Sequence, residues 1–121
     1  MSSRFTELVI DANDPQVLAV WWGAILECEV HSDEGDAWLE PRDSVRELAF
    51  VPVPEGKTIK NRLHIDLSPY GCDQATELER LKSLGAVEID IGQGDQTWHV
   101  LADPEGNEFC LLRGRADEKP S

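Results

Sequence analysis

A four-residue core occurs twice in this chain, as Leu8-Val9-Ile10-Asp11 and as Leu63-His64-Ile65-Asp66, and the same succession of elements follows each copy. Repetition of one supersecondary unit points to two similar modules built side by side. The first helix is expected to start at Pro15 with Asp14 as its N-cap, both suited to unpaired N–H groups. Val17, Leu18, Trp21 and Ile25 make its apolar stripe, with Trp22 covering one edge. The second helix begins at Asp73, turns Leu78, Leu81 and Leu84 inward and stops at Gly85. Strands are expected at about 5–11, 28–32, 36–40, 46–53, 62–68, 86–91, 97–102 and 107–112. Gly92-Gln93-Gly94-Asp95 reads as a hairpin loop.

The length of 121 residues suits a single domain. Eleven Lys and Arg against twenty-four Asp and Glu leave a net charge of −13. Phosphate binding needs a basic face, so nucleic acid is excluded as a partner. The acidity serves either solubility or an acidic cavity that attracts cationic small molecules. No apolar run reaches the roughly 18–20 residues of a membrane span, and no secretory leader is visible, so a cytoplasmic protein without membrane contact is expected. Cys28, Cys72 and Cys110 are odd in number and widely spaced. They form neither a disulfide framework nor a Cys-x-x-Cys zinc motif. Gly-rich phosphate loops and Gly-x-Ser-x-Gly elbows are absent from the sequence.

Near the C-terminus, Asp103-Pro104-Glu105-Gly106 predicts a sharp turn, with Pro pre-setting φ and Gly taking the left-handed conformation. The strand after it places Glu108, Cys110 and Leu112 on one face and Asn107, Phe109 and Leu111 on the other. This hairpin, the run Lys60-Asn61-Arg62-Leu63-His64-Ile65-Asp66-Leu67 and the Leu84-Gly85-Ala86 helix exit together resemble the glyoxalase-like branch of the vicinal oxygen chelate superfamily. The resemblance spans Glu7 to Leu112. It implies an α+β fold, with two βαβββ modules curling a mixed sheet into a cup. The domain then covers residues 4–113, as module one (4–53), a linker (54–61) and module two (62–113), followed by a polar, fraying tail (114–121).

Metal-using members of that superfamily line the cup with four ligand positions, two on the first strands of the modules and two on the last. Here the resemblance implies Glu7 for the first, although the internal repeat aligns Val9 with His64 instead. The Leu48–Val53 strand offers no carboxylate, His64 fits the third position, and Cys110 stands where a Glu is expected. With one corner missing and a thiol in another, no metal and no cofactor are expected, the alternative being a non-standard zinc site on Glu7, His64 and Cys110. Arg62, His64 and Asp66 should share the cup face, opposite Leu63, Ile65 and Leu67. His64 then either contacts a ligand or hydrogen-bonds Asp66 or Arg62, and Arg62 pairs with Asp66. Of Trp98 and His99, one enters the cup and the other faces the helices. Trp98 is either an aromatic wall or core packing. Phe50 lines the cup only if its register shifts. Glu108 is a counter-charge for a cation, an acid/base partner of His64 or a surface residue. Lys57, Lys60 and Arg62 read as solvated linker charge.

The functional expectation is a small molecule, cationic or neutral, held in the cup by Glu7, His64, Trp98, Glu108 and Cys110, as the resemblance to the drug-sequestering bleomycin-resistance members implies. The alternative is a lyase, isomerase or dioxygenase using His64. The resemblance also implies a homodimer.

Overall fold

The computed structural model describes residues 1–42 and 47–117. The chain divides into two compact units, Met1–Gly56 and Lys57–Ser121. The first contains β1 (Glu7–Ala12), α1 (Pro15–Leu26), β2 (Val30–Asp33), β3 (Asp36–Leu39) and β4 (Glu47–Pro52). The second contains β5 (Ile65–Leu67), α2 (Gln74–Ser83), β6 (Val87–Glu88), β7 (His99–Ala102) and β8 (Glu108–Leu111). Each unit is a helix and a four-stranded mixed sheet, in the orders β1-β4-β3-β2 and β5-β8-β7-β6.

The sequence repeat is therefore a repeat of topology. In both units the first strand runs parallel to the last, and the register matches residue for residue. Ile10 lies opposite Phe50 and Asp11 opposite Val51, just as Ile65 lies opposite Phe109 and Asp66 opposite Cys110. Val9 and His64, one residue before the matching Ile, occupy equivalent places. Phe50 and Phe109 are fully buried and anchor the two cores. Phe50 shares its face with Ile10 and Ala37 under α1, so it does not line the opposite face.

Both helices start where their caps dictate. The Asp14 carboxylate accepts the Val17 N–H at 3.2 Å and the Asp73 carboxylate accepts that of Thr76 at 2.8 Å. The apolar stripe of α1 is rotated from the sequence expectation. Leu18, Ala19, Trp22 and Ile25 are buried, whereas Val17 is 59% exposed. The helix has no charged residue within Pro15–Leu26, so periodicity alone has no polar face to orient it. Gly23 fixes the rotation: a Cβ there would lie 2.6 Å from Val30 Cγ2 and 3.2 Å from the Cys28 carbonyl oxygen. In α2, Leu78 and Leu81 point inward, but Leu84 is the C-cap and is 37% exposed. Gly85, at φ 105°, ends the helix as expected.

The α1 exit lacks such a glycine. Glu27 caps it in the left-handed region at φ 52°, and its acid sits at the negative end of the helix dipole. Glu27→Gly removes both penalties and should raise stability by about 1 kcal/mol, read as a higher melting temperature.

β5 and β6 are shorter than the sequence suggests. Leu63 is 77% exposed and lies ahead of β5, while beyond Glu88 the Ile89 N–H to Val100 carbonyl bond extends the β6–β7 pairing. The β7–β8 turn is held by Asp103, which is buried. Its carboxylate accepts the Glu105 and Asn107 backbone N–H groups, both at 2.9 Å, with Gly106 at φ 88°. The start of the tail is tied down, because the Ala116 N–H donates to the Pro69 carbonyl at 2.7 Å. The Arg115 guanidinium holds the Asp117 carboxyl down to about 2. Residues 118–121 of the expected tail, and Arg46 at the head of an expected strand, lie outside the described residues.

Candidate functional site

Chemistry collects on the sheet faces turned away from the helices, separately in the two units. In the first unit, side-chain alternation sends Leu8, Ile10 and Ala12 inward and leaves Glu7, Val9 and Asp11 exposed. Cross-strand register then sorts the exposed face into rows. One row runs Val9, Ala49, Trp38, His31, with the His31 and Trp38 rings stacked at 5.6 Å. On one side of it lie Glu7 and Glu47, directly opposite each other. On the other side lie Asp11, Val51, Asp36 and Asp33. Glu34 and Gly35, with φ 49° and 89°, form the two-residue hairpin turn that carries Asp33 and Asp36 at the edge.

This face encloses a concavity of about 260 Å³. Its lining includes the carboxylates of Glu7, Asp33, Glu34, Asp36 and Glu47 around a floor of Val9, Trp38, Ala49 and Val51, with no Lys or Arg among the described residues. Like charges directly opposite across strands are destabilising. Replacing Glu47 by Gln should therefore stabilise the ligand-free protein by about 0.5 kcal/mol in urea unfolding. Sequence reading identified Glu7 but not its neighbours. The acids of the β2–β3 turn join it only through the sheet order, which the sequence does not spell out.

In the second unit, Ile65, Leu67, Leu101, Phe109 and Leu111 form the apolar face, and His64, Asp66, Cys110 and Glu108 the opposite one. The expected Arg62–Asp66 pair is not what forms. Asp66 instead takes His64, Nε2 to Oδ1 at 3.2 Å, with both side chains about half exposed. Cys110, opposite Asp66 and buried, brings its Sγ within 4.8 Å of the same carboxylate. Burial above all, then the Asp66 charge, pushes the Cys110 thiol up, while Lys60 acts the other way. A Cys110 nucleophile is disfavoured by this setting.

Glu108 is neither a surface residue nor paired with His64. It is buried, accepts from Lys57 Nζ at 2.7 Å and from the Asn61 backbone N–H at 3.1 Å. Burial opposes its charge most strongly, but the Lys57 and backbone hydrogen bonds together outweigh it and lower the carboxyl pKa. Lys57 is thus a structural counter-ion and not solvated linker charge. Trp98, one residue ahead of β7, is 37% exposed, which rules out core packing. His99 lies on the α2 side, where its Nδ1 meets Glu88 at 3.2 Å. Lys82 of α2 holds the same carboxylate at 2.7 Å and lowers its pKa.

A family model of the glyoxalase-like domain matches residues 7–112. The chain belongs to the glyoxalase-like domain family. Its fold is that of the vicinal oxygen chelate proteins, and solved structures of that fold superpose on nearly the whole glyoxalase-like chain. The fosfomycin resistance protein FosX from Mesorhizobium loti is 14% identical with a TM-score of 0.70, covering 96% of each chain. FosX from Listeria monocytogenes, in complex with Mn(II) and sulfate, is 16% identical with a TM-score of 0.67, covering 97% of this chain and 94% of that one. The oxidase ChaP-H2 is 15% identical with a TM-score of 0.63, covering 96% and 98%. No curated protein matches this glyoxalase-like domain by sequence.

The donors present do not fit a hard, oxygen-preferring ion such as Mn(II) in the four-position manner. The place opposite Asp11 on β4 is Val51, and its equivalent on β8 is the Cys110 thiol. Val9, the equivalent of His64, is equally without a donor.

Proposed function

We propose that this glyoxalase-like domain binds a small organic cation with a flat apolar body on the exposed sheet face of its first module, without the family-type metal. The observation that carries this reading is the row Val9–Ala49–Trp38–His31 between two sets of carboxylates. An aromatic face attracts a cation by roughly 0.5–2 kcal/mol, and the apolar floor takes up the ligand's body. The acids supply the counter-charge, and the same field repels phosphonates and other anions. Glu7 belongs to this site. His64, Trp98 and Cys110 remain candidate ligand-binding residues of the second module taken by itself, and Glu108 supports the fold around them through Lys57.

Intrinsic Trp fluorescence and melting temperature, followed against a panel of cationic, neutral and anionic small molecules, test the proposal. Cationic aromatics should shift both signals, and Trp38→Phe should remove the fluorescence response while keeping the fold. A panel in which only anions act would contradict it. The protein is expected to be a homodimer, and light scattering that finds only monomer would remove that expectation.

A further inference from the structure

We propose that the second module holds a zinc ion on His64 Nε2, an Asp66 carboxylate oxygen and Cys110 Sγ. The three donor atoms all lie within 4.8 Å of one another, and they are the one such convergence of three among the described residues. Zinc bonds of about 2.0–2.3 Å put tetrahedral donor–donor edges at about 3.3–3.6 Å. The His64–Asp66 separation of 3.2 Å is already close to that edge. Imidazole, carboxylate and thiolate are all ordinary zinc ligands, and the thiolate turns the preference away from Mn(II).

Local backbone order explains why these three meet. His64 and Asp66 are two residues apart on one face, and Asp66 is the cross-strand partner of Cys110. The first module shows the same scaffold without the site, since Val9, Asp11 and Val51 stand at the equivalent places. In the metal-free protein, Asp66 is a hub with the thiol sulfur and the imidazole nitrogen on either hand. One divalent cation at the hub takes over both contacts. The Cys110 sulfur binds as the thiolate, its proton leaving to solvent, and His64 binds through the Nε2 lone pair. Half-exposed His64 and Asp66 give the ion a way in, and three protein ligands leave one coordination position open.

The inference stands independently of the cation site in the first module, and its test uses metal alone. Reduced, chelator-treated full chain titrated with Co(II) should show a thiolate-to-cobalt charge-transfer band that saturates at one equivalent and is bleached by Zn(II). Cys110→Ser should abolish the band, while Cys28→Ser and Cys72→Ser keep it. His64→Gln and Asp66→Asn, at exposed positions that leave the fold intact, should each weaken Zn(II) at least tenfold in competition with a chromophoric chelator. No charge-transfer band at saturation, a band that survives Cys110→Ser, or unchanged Zn(II) affinity in both exposed variants overturns the site. If Cys110→Ser does not fold, the two exposed variants decide.

Discussion

Trp22→Ala should cost about 4 kcal/mol, the largest loss from any single truncation in the first module. Trp22 is 1% exposed and meets Trp21 edge-on with ring centroids 5.3 Å apart. Removing it deletes a large buried surface and leaves a cavity that a glycine-locked helix cannot close. The Val30 methyl beside Gly23 already sets how near α1 lies to β2, so the helix has little room to settle inward. Val17→Ser on the outer side of the same helix should change stability by less than about 0.5 kcal/mol. Urea unfolding of the two variants gives the comparison. Equal losses would mean that the helix is rotated toward the sequence-derived stripe.

Glu108→Ala should cost about 2 kcal/mol, because it removes the buried carboxylate that Lys57 and the Asn61 N–H hydrogen-bond in a part-buried place. The equivalent residue in the first module is Ala49, so the backbone itself tolerates alanine there; the loss comes from the orphaned donors. The pair also sets a pH dependence. The Glu108 carboxyl pKa is lowered on folding, so its contribution is fully present above the ordinary glutamate value of 4.5 and fades as pH falls through the folded value. Wild type and Glu108→Gln, unfolded in urea from pH 7 downward, should differ most at neutral pH and converge in acid. A gap that widens in acid would contradict the assignment of Glu108 as a charged structural partner.

Much of the fold was legible in the residues. Asp14 and Asp73 declare helix starts through their caps, and the repeated Leu-x-Ile-Asp declares two equivalent first strands. The rotation of α1 was not legible, because a helix without charges carries no polar face and Gly23 reveals its role only against Val30. At the sites, alternation along one strand places Glu7 with Val9 and His64 with Asp66; Cys110 joins them only across the ladder. What alternation lacks is information between strands. Glu47 beside Glu7, the acids of the Glu34–Gly35 turn, and Lys57 against Glu108 all arise from pairings between distant segments. The pairing of Asp66 is hidden for the same reason, since the neighbouring opposite charge of Arg62 looks like its partner until Cys110 appears across the ladder.

The central claim is that the first-module sheet face selects an organic cation by charge. Calorimetric titration with an N-methylpyridinium compound and its neutral isostere, at low and at physiological salt, tests it most directly. The cation should bind at least about tenfold more tightly than the isostere at low salt, and the advantage should shrink as salt screens the carboxylates. The double variant Glu7→Gln/Glu47→Gln should lose most of that advantage while unfolding no more easily than wild type. Equal binding of the neutral isostere, or a cation preference untouched by the double variant, would contradict the account.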